Sequence, residues 1–164
     1  MEIGEIYQNV DKIVLKHIMF YDDVMTYSQS FGYNGFKRMF RVLEKQMLCW
    51  HIQLKNDFFD YYRSILKAPA APNTLTFNNI KTLLEGYRNI LAEDISALAK
   101  LGKEHIEETG IECAVIRDII ICLKHKWNKI SRWISRFNET NWNTIEIHIV
   151  DDYLHTKMEE EEEK

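Results

Sequence analysis

The sequence predicts an all-α protein: an up-down-up-down four-helix bundle with a short fifth helix at the C-terminal end. Apolar residues recur at three- and four-residue steps over four stretches of roughly 25 to 30 residues, the wide stripe of a bundle helix. Only six glycines and two prolines punctuate 164 residues, so few long elements are expected rather than many short strands. A chain of that length fits one domain, taken as residues 1–158, and is large enough to bury a real core.

The first stripe runs through Ile6, Val10, Val14, His17, Tyr21, Val24 and Phe31 and predicts a helix over residues 5–31. In "SFGYNGFKRMF", Gly32 suits the left-handed residue just past a helix, and Asn34 suits the cap of the next one. The second stripe, from Phe36 through Phe40, Met47, Leu54 and Tyr61 to Ile65, predicts a helix over 35–66. Pro69 and Pro72 then stop helicity, because proline lacks the amide donor and disfavours helix before it. Phe77, Leu84, Leu91 and Leu98 mark a third helix over 76–108, and Val115, Ile119, Leu123, Trp127, Ile134 and Phe137 a fourth over 111–137. Thr109-x-x-Glu112 has the spacing of a capping box at the start of the fourth. Near the C-terminus, Ile147, Val150, Leu154 and Met158 step like a helix, while Ile145, Ile147 and Ile149 alternate like a strand; a lone strand would have no sheet to join, so residues 145–158 are read as the fifth helix.

With helices ending at 66 and resuming at 76, the connection of about eight residues reaches roughly 25 to 28 Å extended. A helix of that length spans roughly 45 Å, so adjacent helices are expected to run antiparallel throughout.

The net charge of −4 resides in residues 159–164, "EEEEEK", read as an acidic disordered tail; the body is neutral. A nucleic-acid partner is therefore not expected. No apolar run approaches the roughly 18 residues of a membrane span, and the polar N-terminus is unlike a secretory signal. Cys49, Cys113 and Cys122 form no C-x-x-C and read as free thiols of a reducing cytoplasm.

Metal chemistry in a helical bundle needs inward carboxylates and histidines, with Glu-x-x-His placing two ligands on neighbouring turns. No Glu-x-x-His occurs. The candidate ligands are His17 on the first apolar stripe, Glu44 and His51 on the second helix, and His148, Asp152 and His155, which with Asp151 share one face of a helical C-terminal segment. Glu85 and Asp94 read as the solvated edge of the third helix. In "KHKWNKISRWISR", residues 124–136, Trp127 falls on the core stripe and Lys124, Lys126, Lys129, Arg132 and Arg136 fall outside it, a strip that either meets solvent or an acidic partner. No nucleophile motif or glycine-rich phosphate loop is found.

The segment "LKHIMFYDDVMTYSQSFGYNGFKRMF" resembles the first helix, turn and second-helix start of ferritin-like proteins, with Gly-Phe-Lys/Arg opening the second helix. Together with "EIHIVDDYLHTKM", it is most similar to the small ferritin-like proteins of phages and prophages. The resemblance implies a di-iron ancestry, yet Lys16 or His17 stands where the first-helix Glu would fall. The second-helix ligand region reads "EKQMLCWHIQ" and the fourth "CLKHKWNK". The iron site implied by the resemblance is eroded, and no cofactor is expected, with iron or zinc at a rearranged site as the alternative. The short connection also leaves no room for the long crossover of ferritins.

The function read from the sequence is that of a protein-binding or self-assembling module without catalysis, with a protein partner or a second copy. Twenty aromatics are generous for a single bundle, and Tyr33, Phe59, Tyr62 and Trp142, at the ends or off the stripes, are the candidate interface residues. The alternatives are a metal-binding bundle and a phage-encoded inhibitor of a host defence protein.

Overall fold

The computed structural model describes residues 3–63, 65–66, 75–104 and 110–162. Among these residues there are five helices and no strand: α1 (Ile3–Ser30), α2 (Asn34–Tyr62), α3 (Ile80–Glu104), α4 (Gly110–Glu139) and α5 (Thr144–Glu162). The all-α expectation and the helical reading of the C-terminal segment both hold. Helicity continues to Glu162, into the acidic run expected as a tail. The expected capping box at Thr109 and the break at Pro69 and Pro72 lie outside the described residues.

α1 ends in a Schellman motif. Gly32 takes φ +77°, and the Tyr33 amide donates back to the Ser28 carbonyl at 2.8 Å. The same device ends α4, where Asn141 has φ 51°, the Trp142 amide reaches the Phe137 carbonyl at 2.7 Å, and the two rings pack at 5.2 Å. Asn143 then caps α5, its Oδ1 accepting from the Ile145 amide at 2.9 Å.

The start of α2 departs from expectation. Asn34 lies inside the helix, and the N-cap residue Tyr33 supplies no side-chain cap. The cap comes from a distant part of the chain: Asp151 of α5 accepts the Phe36 amide at 2.9 Å and also the Gly35 amide. Gly35 is required for this approach, because a Cβ there would collide with the Asp151 carbonyl and come within 2.8 Å of the His155 amide nitrogen.

The topology corrects the sequence reading. Tyr7 packs on Phe58 and Asp11 bonds His51, so α1 and α2 are antiparallel. Along α1 and α3, His17 meets Asp94, Tyr21 meets Tyr87 and Tyr27 meets Phe77, so these two are also antiparallel. α2 and α3 therefore run in the same direction, and the order is up-down-down-up. The connection must return along the bundle, from the end of α2 beside the start of α1 to Leu75, whose amide donates to Asp23 near the far end of α1 at 2.9 Å. The error lay in the helix ends. α2 stops at Tyr62, where Arg63 takes the left-handed φ of 53°, and α3 starts only at Ile80. The connection is thus about twice the expected length, ample to cross roughly 30 Å of bundle at 3.3 Å or more per residue.

α5 does not cap the bundle end. Its contacts with α2 advance in step: Tyr33 with His148, Gly35 with Asp151, Arg38 with the His155 carbonyl. α5 thus runs alongside the first turns of α2, burying Ile147, Val150 and Leu154. Those residues join a core built on Tyr21, Phe36, Phe40, Tyr87 and Phe137, all essentially inaccessible to solvent, each such side chain contributing roughly 1.5 to 3 kcal/mol by burial.

Candidate functional site

Midway along the bundle, the apolar layers give way to a polar one. His17 of α1 is fully buried, and its Nε2 lies 2.6 Å from Asp94 of α3. Lys16 reaches the other Asp94 oxygen at 3.0 Å from the bundle surface. The Tyr21 and Tyr87 hydroxyls pair at 2.7 Å one layer on. From α4, Lys126 projects inward with 4% of its surface accessible, its Nζ 5.7 Å from the Tyr21 ring centroid, near the Cys122 sulfur and without a nitrogen or oxygen acceptor among the described residues.

The electrostatics follow from that arrangement. Burial pushes the His17 imidazole below its ordinary pKa; Asp94 opposes the shift, and Lys126 and Lys16 reinforce it. Burial alone would raise Asp94, but the hydrogen bonds from His17 and Lys16 outweigh it and hold the carboxyl below its usual range. The layer is therefore a neutral imidazole donating Nε2–H to a carboxylate held by an ammonium. Burial lowers the Lys126 pKa, with Cys122 one turn earlier acting against it, and burial raises both tyrosines.

Two sequence readings are corrected here. Asp94 is buried rather than a solvated edge, and Lys126 is buried while Trp127, assigned to the core, is 37% exposed. The inward face of α4 passes through 119, 123, 126 and 130, a spacing of four, three and four residues that accepts position 126 as readily as 127. A lysine at that position reads as surface on composition alone.

The candidate ligands do not converge. Only His17 belongs to the central layer. His51 bonds Asp11 at 2.6 Å between α1 and α2. Glu44 hydrogen-bonds Asp22, and burial together with that carboxylate raises its pKa to about 7. His148 stacks on Tyr33 at 5.3 Å between ring centroids, Asp151 is committed to the α2 cap, Asp152 is exposed and His155 is half-buried. Among the described residues no three His, Cys, Asp or Glu side chains are placed to hold one metal ion.

The interface candidates divide. Tyr33 and Trp142 are half-buried and serve the helix-end motifs, while Phe31, at the same end as Tyr33, is 61% exposed. Phe59 and Tyr62 remain exposed at 46% and 38%. Sequence reasoning missed two further groups of exposed apolar residues, Leu48 and Ile52 on α2 and Ile145, Ile149 and Tyr153 on α5.

No family model and no curated protein matches the chain. Solved structures do. An open-pore ferritin from the hyperthermophilic archaeon Archaeoglobus fulgidus superposes with a TM-score of 0.82 over 92% of this chain and 93% of that one, at 12% identity. The fold is ferritin-like. A closed form engineered from the same ferritin gives 0.83 over 94% and 96%, again at 12% identity. An iron-soaked PmFTN variant gives 0.81 over 93% and 99%, at 9% identity. The long return between α2 and α3, excluded on sequence, is part of this ferritin-like chain. No helix among its described residues is long and apolar enough to cross a membrane.

Proposed function

We propose that this protein is a ferritin-like bundle that works by binding protein, a second copy or a foreign partner, and that its interior has ceased to be an iron site. One observation carries the second half: a lysine ammonium, Lys126, is buried in the middle of the bundle beside His17 and the Tyr21 ring. A di-iron carboxylate centre draws a Glu from each of two helices and a Glu-x-x-His from each of the other two. Here the corresponding layer offers an imidazole, one carboxylate already held on both oxygens, two phenols and two amines. A further unit of positive charge within about 4 Å of that ammonium costs about 4 kcal/mol at an effective dielectric of about 20. The donor set does not fit iron.

The surface supports the first half. α5 is apolar on both faces: Ile147, Val150 and Leu154 pack inward, while Ile145, Ile149 and Tyr153, one turn apart in sequence, are 70%, 52% and 54% exposed. Leu48, Ile52 and Phe59 form a second exposed ridge on α2. Each ridge is an apolar strip of the kind an interface core uses, the α5 ridge lying beside the first turns of α2 and the Leu48–Phe59 ridge further along that helix. Sedimentation equilibrium at micromolar concentration tests this. The wild type should associate, and Ile149→Ser with Tyr153→Ser should weaken the association at least about tenfold. A strictly monomeric wild type that also recovers no partner from its native cell would refute the binding role.

A further inference from the structure

We infer that Cys122 and Lys126 form an oxidation-dependent cross-linking pair, in which peroxide converts the thiol to a sulfenic acid and the lysine amine closes on that sulfur as a sulfenamide. The two residues lie one turn apart on α4, at i and i+4, where side chains share a face. A long helical side chain runs back over the preceding turn, so the lysine stem carries its Nζ toward residue 122. The fully buried Tyr21 ring stands 5.7 Å from that Nζ, and only 4% of the lysine is accessible. Among the described residues no nitrogen or oxygen accepts from the amine. Its polar neighbour is the Cys122 thiol, which acts on it by charge and by hydrogen bonding. The same sulfur acts on the Tyr21 and Tyr87 hydroxyls, so it adjoins the central layer.

The arrangement suits each step. Cys122 is a free, half-buried thiol, within reach of a molecule as small as hydrogen peroxide. Attack of its sulfur on one peroxide oxygen breaks the O–O bond and gives the sulfenic acid and water. An amine attacks through its lone pair, and burial lowers the Lys126 pKa and so enlarges the neutral share. The S–N bond then forms as the S–O bond breaks, and the leaving hydroxide takes the amine proton as a second water. Thiol, amine and one peroxide thus give sulfenamide and two waters, with sulfur oxidised by two electrons and peroxide reduced. An external thiol reverses the step, first to a mixed disulfide and free amine, then to the Cys122 thiol. Cys49, exposed on α2, is a comparison within the chain, since Lys126 is the one buried lysine among the described residues. A sulfenamide nitrogen carries no charge, so oxidation removes an unpaired ammonium from the interior and stabilises the bundle.

Treatment of the purified protein with hydrogen peroxide, then tryptic mapping without reductant, tests the proposal. The wild type should yield residues 118–124 bonded to residues 125–129, about 2 Da lighter than the two peptides together. Dithiothreitol should separate them, and Lys126→Met and Cys122→Ser should each abolish the linked pair. With dimedone present, its sulfenic acid adduct at Cys122 should be the minor product of the wild type and the main product of Lys126→Met. The urea midpoint should rise on oxidation of the wild type, return with dithiothreitol and stay fixed in Lys126→Met. A dimedone adduct at Cys122 as abundant in the wild type as in Lys126→Met overturns the inference. So does a Cys122 thiol left intact by peroxide that oxidises Cys49. A linked pair about 14 Da heavier would also overturn it, by placing an oxygen between nitrogen and sulfur.

Discussion

A buried ammonium carries a desolvation cost, and at Lys126 the partners among the described residues that offset it are weak ones, the sulfur of Cys122 and the Tyr21 ring. Lys126→Met, which keeps the length and removes the charge, should therefore raise stability by about 1 to 2 kcal/mol, read as a higher urea midpoint at unchanged slope. His17 makes a second prediction. Its folded pKa is lowered by burial, so below the ordinary value of 6.5 the unfolded chain takes up a proton that the folded chain does not. Its contribution to stability is full above that value and falls as pH drops, and nitrogen chemical shifts should show the imidazole of the folded protein taking up its proton at lower pH than that of the unfolded chain. Glu44 has the opposite sign. With a folded pKa of about 7 against an ordinary 4.5, it binds a proton in the folded state across that interval, so stability falls as pH rises through it. Glu44→Gln should flatten that slope in urea titrations between pH 5 and pH 8. His17 was legible in the sequence because it interrupts an apolar stripe. Asp94 and Lys126 were not, because a charged residue at the margin of a stripe reads as surface until its partner on another helix is known.

The most consequential contact between elements is the α5 cap on α2. Asp151→Ala removes the acceptor for the Phe36 and Gly35 amides and should cost about 0.5 to 2 kcal/mol. Gly35→Ala acts on the same joint by steric exclusion. Both variants should speed amide hydrogen exchange across α5 while α1 and α3 stay protected; uniform loss of protection would mean that α5 and the bundle unfold as one unit. The existence and type of every helix were readable from periodicity, and Gly32 was read correctly from local turn chemistry. The Asp151 cap was not readable, since 115 residues separate donor from acceptor. The ends of α2 and α3 were the costly miss. Ile65 continues the apolar period past Tyr62, where the helix terminates, and an error of four residues at each end turned a crossover into a short turn.

For the whole molecule, the likeness to ferritins shows a fold, and a fold does not carry a reaction with it. Function must be argued from the residues in the central layer and on the surface. Those are an imidazole–carboxylate–amine network with Lys126 beside it in the interior, and outside it apolar ridges on α2 and α5. The interior claim is tested most directly by adding ferrous iron anaerobically to the purified protein, measuring iron retained per chain, and then following oxidation on admission of air. The expected result is no saturable iron binding and oxidation at the rate of buffer alone. A saturable pair of irons per chain, with oxidation faster than buffer that disappears in His17→Ala, would contradict it.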